Sequence, residues 1–168
     1  MNNRMVLSLL VDNQAGVLSR VSGLFSRRGY NIDSLTVGVT ENPNFSRMTV
    51  VASGEPEALE QIYKQLDKLV DVVDIKELEP ESSVTRELVL IKVAATAENR
   101  HKVVAVADIF RANVIDVSTT SVIIELTGNS QKIQAFIHLL EGFEIKQLVR
   151  TGVAGLPRGS EDEPYLED

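Results

Sequence analysis

The chain has 168 residues, with 17 Lys and Arg against 24 Asp and Glu, and it contains no Cys and no Trp. A hydrophobic fraction of 43% is too high for a disordered chain, and no apolar run approaches the ~20 residues of a membrane span. The lack of Cys excludes disulfides, thiolate metal sites and thiol nucleophiles. The chain therefore reads as one or two globular domains without cysteine chemistry.

Charge and the chain termini limit the possible partners and compartment. The formal net charge of −7 disfavours binding to the phosphate backbone of nucleic acids. Five of the acids lie in residues 160–168, which we interpret as a solvated acidic tail. The first residues show no secretory signal, so we expect a cytoplasmic protein with no membrane or nucleic-acid partner.

The first half of the chain alternates strand and helix patterns. The predicted elements are a strand over 5–11, a helix from Val17 to near Gly29, strands over 34–39 and 47–52, a helix opening at Pro56 and a strand over 72–78. Strand predictions rest on apolar runs or strict alternation, and helix predictions rest on apolar residues at i, i+4 and i+7. The predicted order is βαββαβ.

The same order repeats after a polar, proline-containing segment. The predicted elements are strands over 88–94, 114–118, 122–127 and 143–149, a helix over about 97–112, and a helix capped by Asn129 or Ser130. The predicted domains are 4–79, a linker over 80–86, and 87–159, before the tail. Right-handed crossovers in this order give an α+β fold of two tandem ferredoxin-like units. Because such units are small and leave strand edges open, we expect dimers.

Catalytic motifs are missing from the sequence. It contains no glycine-rich dinucleotide or phosphate loop, no nucleophile elbow and no zinc-protease motif. His101 and His138 lie in separate helices, so a surface role is favoured over metal binding or catalysis. Asp71 and Asp74 are better interpreted as a solvated strand entry than as a catalytic carboxylate pair. We therefore predict no catalytic residues and no metal site.

The loop over 12–18 carries the unusual local chemistry. We expect Asn13 to cap the following helix and the amides near Ala15, Gly16 and Val17 to point outward, where the helix dipole favours an anion. Glycine would let a carboxylate approach the backbone, and Leu18 would border an apolar patch. Asn31, after the helix, could accept a hydrogen bond from an ammonium group.

A purely structural interpretation of these residues stays open on local chemistry alone. In it Asn13 caps, Gly16 eases the turn and Asn31 belongs to a connecting loop. The corresponding loop of the second unit, 95–100, has no glycine and carries an acid at the helix start. We expect that loop to bind no carboxylate, so a ligand would belong to the first unit, and the second unit is our candidate for oligomer contacts.

These motifs carry a resemblance to a known family. The segment 12–20, Asp-Asn-Gln-Ala-Gly-Val-Leu-Ser-Arg, resembles the first loop and helix of an ACT domain, a module that senses amino acids. Segments 28–35, Arg-Gly-Tyr-Asn-Ile-Asp-Ser-Leu, and 46–49, Ser-Arg-Met-Thr, are similar to the regulatory (small) subunit of acetolactate synthase. The likeness runs from Val6 to about Gly159.

The resemblance implies a non-catalytic subunit that activates a large catalytic subunit and makes it sensitive to valine. That partner would hold thiamine diphosphate, magnesium and FAD, and this chain would hold no cofactor. In the family the effector lies between two ACT domains of a homodimer. The positions that match its contacts are Asn13, Gly16, Val17 and Leu18 from one chain and Asn31 and Ile32 from the other.

Two other classes of function stand beside this expectation. An amino-acid-responsive transcription regulator is the alternative, although no helix-turn-helix pattern or basic stripe is evident. A stand-alone enzyme is disfavoured by the missing motifs. Leucine or isoleucine could replace valine as the preferred effector.

Overall fold

The computed structural model describes residues 3–159, which form two compact units. The first unit comprises residues 3–84 together with 153–159, and the second unit comprises 85–152. The predicted acidic tail, 160–168, lies outside the described residues. Among residues 3–159, no helix combines the length and apolarity that crossing a bilayer requires.

The first unit has the predicted βαββαβ order. Its elements are β1 (Asn3–Asp12), α1 (Val17–Arg27), β2 (Ile32–Val39), β3 (Phe45–Gly54), α2 (Pro56–Asp67) and β4 (Val72–Glu77). The strands form an antiparallel sheet in the order β2-β3-β1-β4. This topology confirms the ferredoxin-like prediction for the first unit.

The core of the first unit lies between the sheet and the two helices. Alternate residues of β1, among them Leu7 and Leu9, are fully buried, as are Val21 and Phe25 of α1. The i, i+4 spacing of Val21 and Phe25 explains why this stretch forms a helix with a single apolar stripe. The helix ends where Gly29 adopts a φ of 70°, which glycine tolerates without a steric penalty.

The second unit repeats the arrangement. Its elements are β5 (Ser83–Ala94, in this unit from Thr85 onward), α3 (Arg100–Ile109), β6 (Asn113–Val117), β7 (Ser121–Gly128), α4 (Ser130–Leu139) and β8 (Ile145–Arg150). The strand order is β6-β7-β5-β8. Asn129 caps α4 by accepting a hydrogen bond from the amide of Lys132 at 2.9 Å, which confirms one of the two predicted caps.

The structure departs most from the predicted boundaries at the linker and at α3. The linker predicted over 80–86 is shorter, because β5 begins at Ser83, and α3 is shorter than the helix predicted over 97–112. Ser83 is buried and Glu87 is 5% exposed, although both are polar. Polar residues on the buried face of a strand hide its alternation from sequence patterns.

Residues 153–159 belong to the first unit, whereas we predicted that they close the second. The Val153 side chain is 6% exposed, its amide donates to Oγ of Ser34 at 2.7 Å, and its carbonyl accepts from Oγ1 of Thr36 at 3.0 Å. Ser34 and Thr36 lie on the sheet face opposite the helices, so this segment covers part of that face. Its one strand, β9 (Ala154–Pro157), is too short for a periodic signal.

A residue just after the end of α3 has a strained backbone conformation, and a substitution can relieve this strain. Within the described residues, Arg111 is the non-glycine residue with a positive φ, at 55°, and the amide of Ala112 behind it donates to the Ala107 carbonyl at 2.9 Å. Gly29 holds the corresponding place after α1. We expect Arg111→Gly to raise the free energy of unfolding by about 0.5–1 kcal/mol in urea denaturation. Arg111→Ala keeps the strain, and a glycine variant no more stable than this control would contradict the expectation.

Candidate functional site

The loop between β1 and α1, residues 13–16, is called the Gly16 loop, and part of its backbone is exposed at the surface. Gly16 is the N-cap of α1 with a φ of 89°, and it makes no side-chain cap. Ala15 and Gly16 are exposed, and among residues 3–159 neither amide has an acceptor. The Val17 amide instead points back to the Gln14 carbonyl at 3.5 Å, and the Val17 side chain is 3% exposed. Of the three amides predicted to point outward, those of Ala15 and Gly16 do so, and the prediction for Val17 is wrong.

Asn13 does not cap the helix, which corrects the expectation from the sequence. Its Nδ2 donates to the Pro43 carbonyl at 2.9 Å, and its Oδ1 accepts from Oγ of Ser46 at 3.2 Å. Its own amide donates to the Asn44 carbonyl at 2.8 Å. Three residues separate Asn13 from the helix, and the turn that they form moves the N-cap to Gly16. Asn13 thus fixes the loop against the β2–β3 turn and the start of β3.

An ion pair that the sequence did not predict lies beside Gly16. Nε of Arg20, in α1, lies 2.5 Å from Oδ2 of Asp71, and the side chains are 49% and 17% exposed. The Asp12 amide donates to the Asp71 carbonyl at 2.9 Å, which fixes this aspartate at the end of β1. Asp71 is thus paired and does not form the purely solvated strand entry that we expected. Partners 51 residues apart leave no local sequence signal.

Asn31 and Ile32 lie at the other end of the sheet. Ile32 begins β2 and pairs with Ala52, which in turn pairs with Met5 near the start of β1. The Gly16 loop follows the end of β1, seven residues beyond Met5, a distance of roughly 23 Å along a strand. The two groups of predicted site residues are therefore not brought together within one chain.

Exposed apolar residues border the loop along the open edge of the sheet. Val37 and Val39 of the edge strand β2 pair with Met48 and Ser46, which puts them on the helix-facing side. Their exposed fractions are 48% and 61%, and Leu18 in the first turn of α1 is 48% exposed. An apolar strip next to an unpaired strand edge is typical of an interface with another chain.

The corresponding loop of the second unit is arranged differently. Oδ1 of Asn99 accepts from the Thr96 amide at 2.7 Å and so closes the loop on itself. The N-cap of α3 is thus an asparagine, whereas the N-cap of α1 is the open Gly16. Glu98 lies directly before Asn99. The first turn of α3 itself carries no acid, and that no carboxylate binds here stays a prediction.

The two histidines lie in different helices. His101 is exposed in α3, and Nδ1 of His138 in α4 lies 3.2 Å from Oε2 of Glu141. Residues 3–159 contain no group of three or more His, Asp or Glu side chains that could hold a metal ion.

A separate cavity of about 520 Å³ opens at the start of β1, between α2 and β4. Leu59 and Tyr63 line it together with the carboxylate of Glu77. Burial, followed by the charge of Glu79, raises the pKa of Glu77, and burial also raises the pKa of Tyr63. No pattern in the sequence indicates this cavity, which lies at the opposite end of β1 from the Gly16 loop.

Comparisons with known proteins identify both halves of the chain. Residues 7–74 match a family model described as an AHAS small subunit-like ACT domain, which confirms the predicted ACT domain. Residues 86–159 match a model described as the small subunit of acetolactate synthase.

Full-length relatives agree with these models. An acetolactate synthase small subunit of Mycobacterium bovis is 52% identical over 91% of this chain and 91% of its own length. One from Haemophilus influenzae is 46% identical over 95% of this chain and 98% of its own length. The crystal structure of the Thermotoga maritima small subunit covers 94% of this chain and 99% of its own, with 41% identity and a TM-score of 0.85. The chain therefore belongs to the family of acetolactate synthase small subunits.

Proposed function

We propose that this chain activates the catalytic large subunit of acetolactate synthase and makes it sensitive to valine, which binds between the first units of a homodimer. The observation that carries the proposal is the separation of the two motifs within one chain. The Gly16 loop follows the end of β1, and Asn31 precedes the start of β2 at the opposite end of the sheet. Both motifs can contact one small ligand only if they come from different chains.

Pairing of two β2 edges brings the motifs together. In an antiparallel pair of β2 strands, the start of the partner's strand lies beside the end of this one. The end of β2 is Val39, which pairs with Ser46, and Ser46 pairs with Val11 just before the loop. A two-fold dimer through β2 therefore places the partner chain's copies of Asn31 and Ile32 next to Gly16, and it covers the apolar strip.

The combined site offers a partner for each group of a free amino acid. The open amides of Ala15 and Gly16 suit the carboxylate, and Oδ1 of Asn31 suits the ammonium. Leu18 and Ile32 supply apolar contacts for a short branched side chain. Valine, leucine and isoleucine all fit this chemistry, and titration with each ranks them.

Feedback control limits the affinity and requires coupling. Release at physiological concentrations needs a dissociation constant of ~10 μM–1 mM, or about −4 to −7 kcal/mol. Inhibition needs different affinities in the active and inhibited assemblies, typically a coupling of ~1–3 kcal/mol. A site built from exposed backbone amides and a single strand edge is expected to bind an amino acid with a dissociation constant in this range.

The catalytic chemistry of this proposal belongs to the partner. The large subunit holds thiamine diphosphate, magnesium and FAD and condenses pyruvate with a second 2-oxo acid in branched-chain amino acid synthesis. This chain contributes the effector site and the contacts that activate its partner. The family assignment does not favour the alternative of a transcription regulator.

Reconstitution tests the proposal. Pyruvate, thiamine diphosphate, magnesium and FAD are incubated with this chain alone, with the catalytic subunit alone, and with both, while acetolactate is measured. We expect no product from this chain alone, faster formation by the pair than by the catalytic subunit, and inhibition by valine only in the pair. The proposal would be contradicted if the catalytic subunit formed acetolactate equally fast with and without this chain. It would also be contradicted if valine inhibited the catalytic subunit in the absence of this chain.

A further inference from the structure

Arg20 holds its guanidinium directly over Gly16. A Cβ on Gly16 would lie 3.0 Å from Nη1 of Arg20, so the absence of a side chain leaves this space to the guanidinium. Arg20 is also tied to the loop through its amide, which donates to the Gly16 carbonyl at 3.0 Å. The charged end of Arg20 is thus part of the surface of the loop.

The guanidinium is anchored on one side and available on the other. Its Nε donates to Asp71, and among residues 3–159 no acceptor is bonded to Nη1 or Nη2. Asp71 is 17% exposed and is fixed through its carbonyl to β1, whereas Arg20 is 49% exposed. A guanidinium carries five N–H donors in a planar fork, so a single bond through Nε leaves four for a second acceptor. That second acceptor would approach from the solvent side, beside Gly16.

In the second unit, the arginine at the start of α3 has a hydrogen-bond partner of a different kind. The Ala94 amide donates to the Glu144 carbonyl at 2.9 Å, as Asp12 does to Asp71 in the first unit. Arg100, at the start of α3, donates through Nη2 to the Ser118 carbonyl at 3.0 Å, so its charged end is used within the unit. An outward guanidinium above an open glycine is thus a feature of the first unit, where the effector is proposed to bind.

We infer that Arg20 pairs with the α-carboxylate of the amino-acid effector and that Asp71 is the positioning residue that holds the guanidinium for it. This inference rests on the proposed function and names the residue that recognises the charge. Carboxylates bind the guanidinium fork through charge-assisted hydrogen bonds. The open amides beside it supply further donors to the same group. An amino acid would therefore be distinguished from its uncharged amide mainly by Arg20.

Calorimetric titration of the full chain with valine and with valinamide tests this role. Removing a hydrogen bond to a charged group weakens binding about tenfold to a hundredfold, so Arg20→Gln should lose valine affinity by that factor. Valinamide lacks the carboxylate, and its affinity should change by less than about threefold. Asp71→Asn keeps the guanidinium but weakens its anchor, so it should lose valine affinity by a smaller factor, about twofold to fivefold, while the affinity for valinamide again changes little.

A double variant tests whether the effect of Arg20→Gln comes only from leaving the Asp71 carboxylate without its partner. Arg20→Gln with Asp71→Asn leaves no unpaired carboxylate and should lose valine affinity as Arg20→Gln does. Arg20 has no such role if Arg20→Gln binds valine within about twofold of wild type. Equal losses for valine and valinamide would show a general effect on the loop and would also overturn the inference. An Asp71→Asn variant that binds valine as tightly as wild type would overturn the positioning role of Asp71. If the wild-type chain binds none of valine, leucine and isoleucine, the proposed function fails, and this inference fails with it.

Discussion

Gly16→Asp should yield a subunit that still activates its partner but leaves acetolactate formation indifferent to valine. The new carboxylate would occupy the space of the ligand carboxylate and repel it, and Arg20 lies within reach to pair with the new group. Loss of ~3 kcal/mol already weakens binding more than a hundredfold. Calorimetry with valine and activity of the reconstituted pair measure the two effects separately.

The same substitution should also cost some stability. Gly16 has a φ of 89°, a conformation that costs a residue with a Cβ about 1–2 kcal/mol. Gly16→Ala carries the same strain without the charge, so it separates the two effects. We expect the aspartate variant to unfold at or above the temperature of the alanine variant, because aspartate tolerates a positive φ and a helix N-cap better than alanine does. The alanine variant should retain clearly more valine binding. Binding of valine by the aspartate variant as tightly as by wild type would show that the effector site lies elsewhere.

Arg150→Ala should clearly destabilise the second unit. Nε and Nη2 of Arg150 lie 2.7 and 2.8 Å from the two carboxylate oxygens of Glu87, whose side chain is 5% exposed. Removing the partner of a buried charge costs about 3–5 kcal/mol. Because Arg150 is itself 39% exposed, water screens the pair, and we expect a loss of about 2–3 kcal/mol.

The pH range for this measurement follows from the sign of the pKa shift. The hydrogen bond to Glu87 raises the pKa of the Arg150 guanidinium, against a smaller opposing effect of burial. A cation with a raised folded-state pKa contributes its full stability below its unfolded pKa, which for arginine lies far above neutral pH, so the contribution is constant between pH 7 and 9.

Hydrogen exchange of the β5 amides between pH 7 and 9 measures the loss within the second unit. Lys146→Ala, at an exposed position of β8, the strand that contains Arg150, is the control and should change the free energy of opening by less than about 0.5 kcal/mol. A loss in Arg150→Ala no larger than in this control would contradict the stabilising role of the pair.

Much of the fold could be predicted because both units bury continuous apolar faces. Leu7 and Leu9 alternate along β1 and Val21 and Phe25 recur along α1, so both periods are visible in the sequence. Prediction failed where polar residues are buried or where the contacting residues lie far apart in the sequence. Glu87 interrupts the apolar pattern of β5, and residues 153–159 join the first unit through hydrogen bonds that no periodicity encodes.

The candidate site was predicted in composition but not in geometry. Glycine before a helix correctly indicated an open backbone, because few other residues adopt the φ of Gly16. The role of Asn13 was wrong, since its partners Pro43 and Ser46 lie about 30 residues away in the chain. The pairing of Arg20 with Asp71 depends on how α1 packs beside the strand entry, and that geometry is visible only in the folded unit.

The most direct test of an effector site shared by two first units is a titration of the isotopically labelled chain with valine, followed by amide chemical shifts. The largest changes should fall on Gly16, Val17, Leu18, Asn31 and Ile32, with saturation at one valine per loop. The amides of the second-unit loop, 96–100, should not move. Changes confined to the second unit, or changes at Gly16 without any at Asn31, would contradict a site formed between two first units.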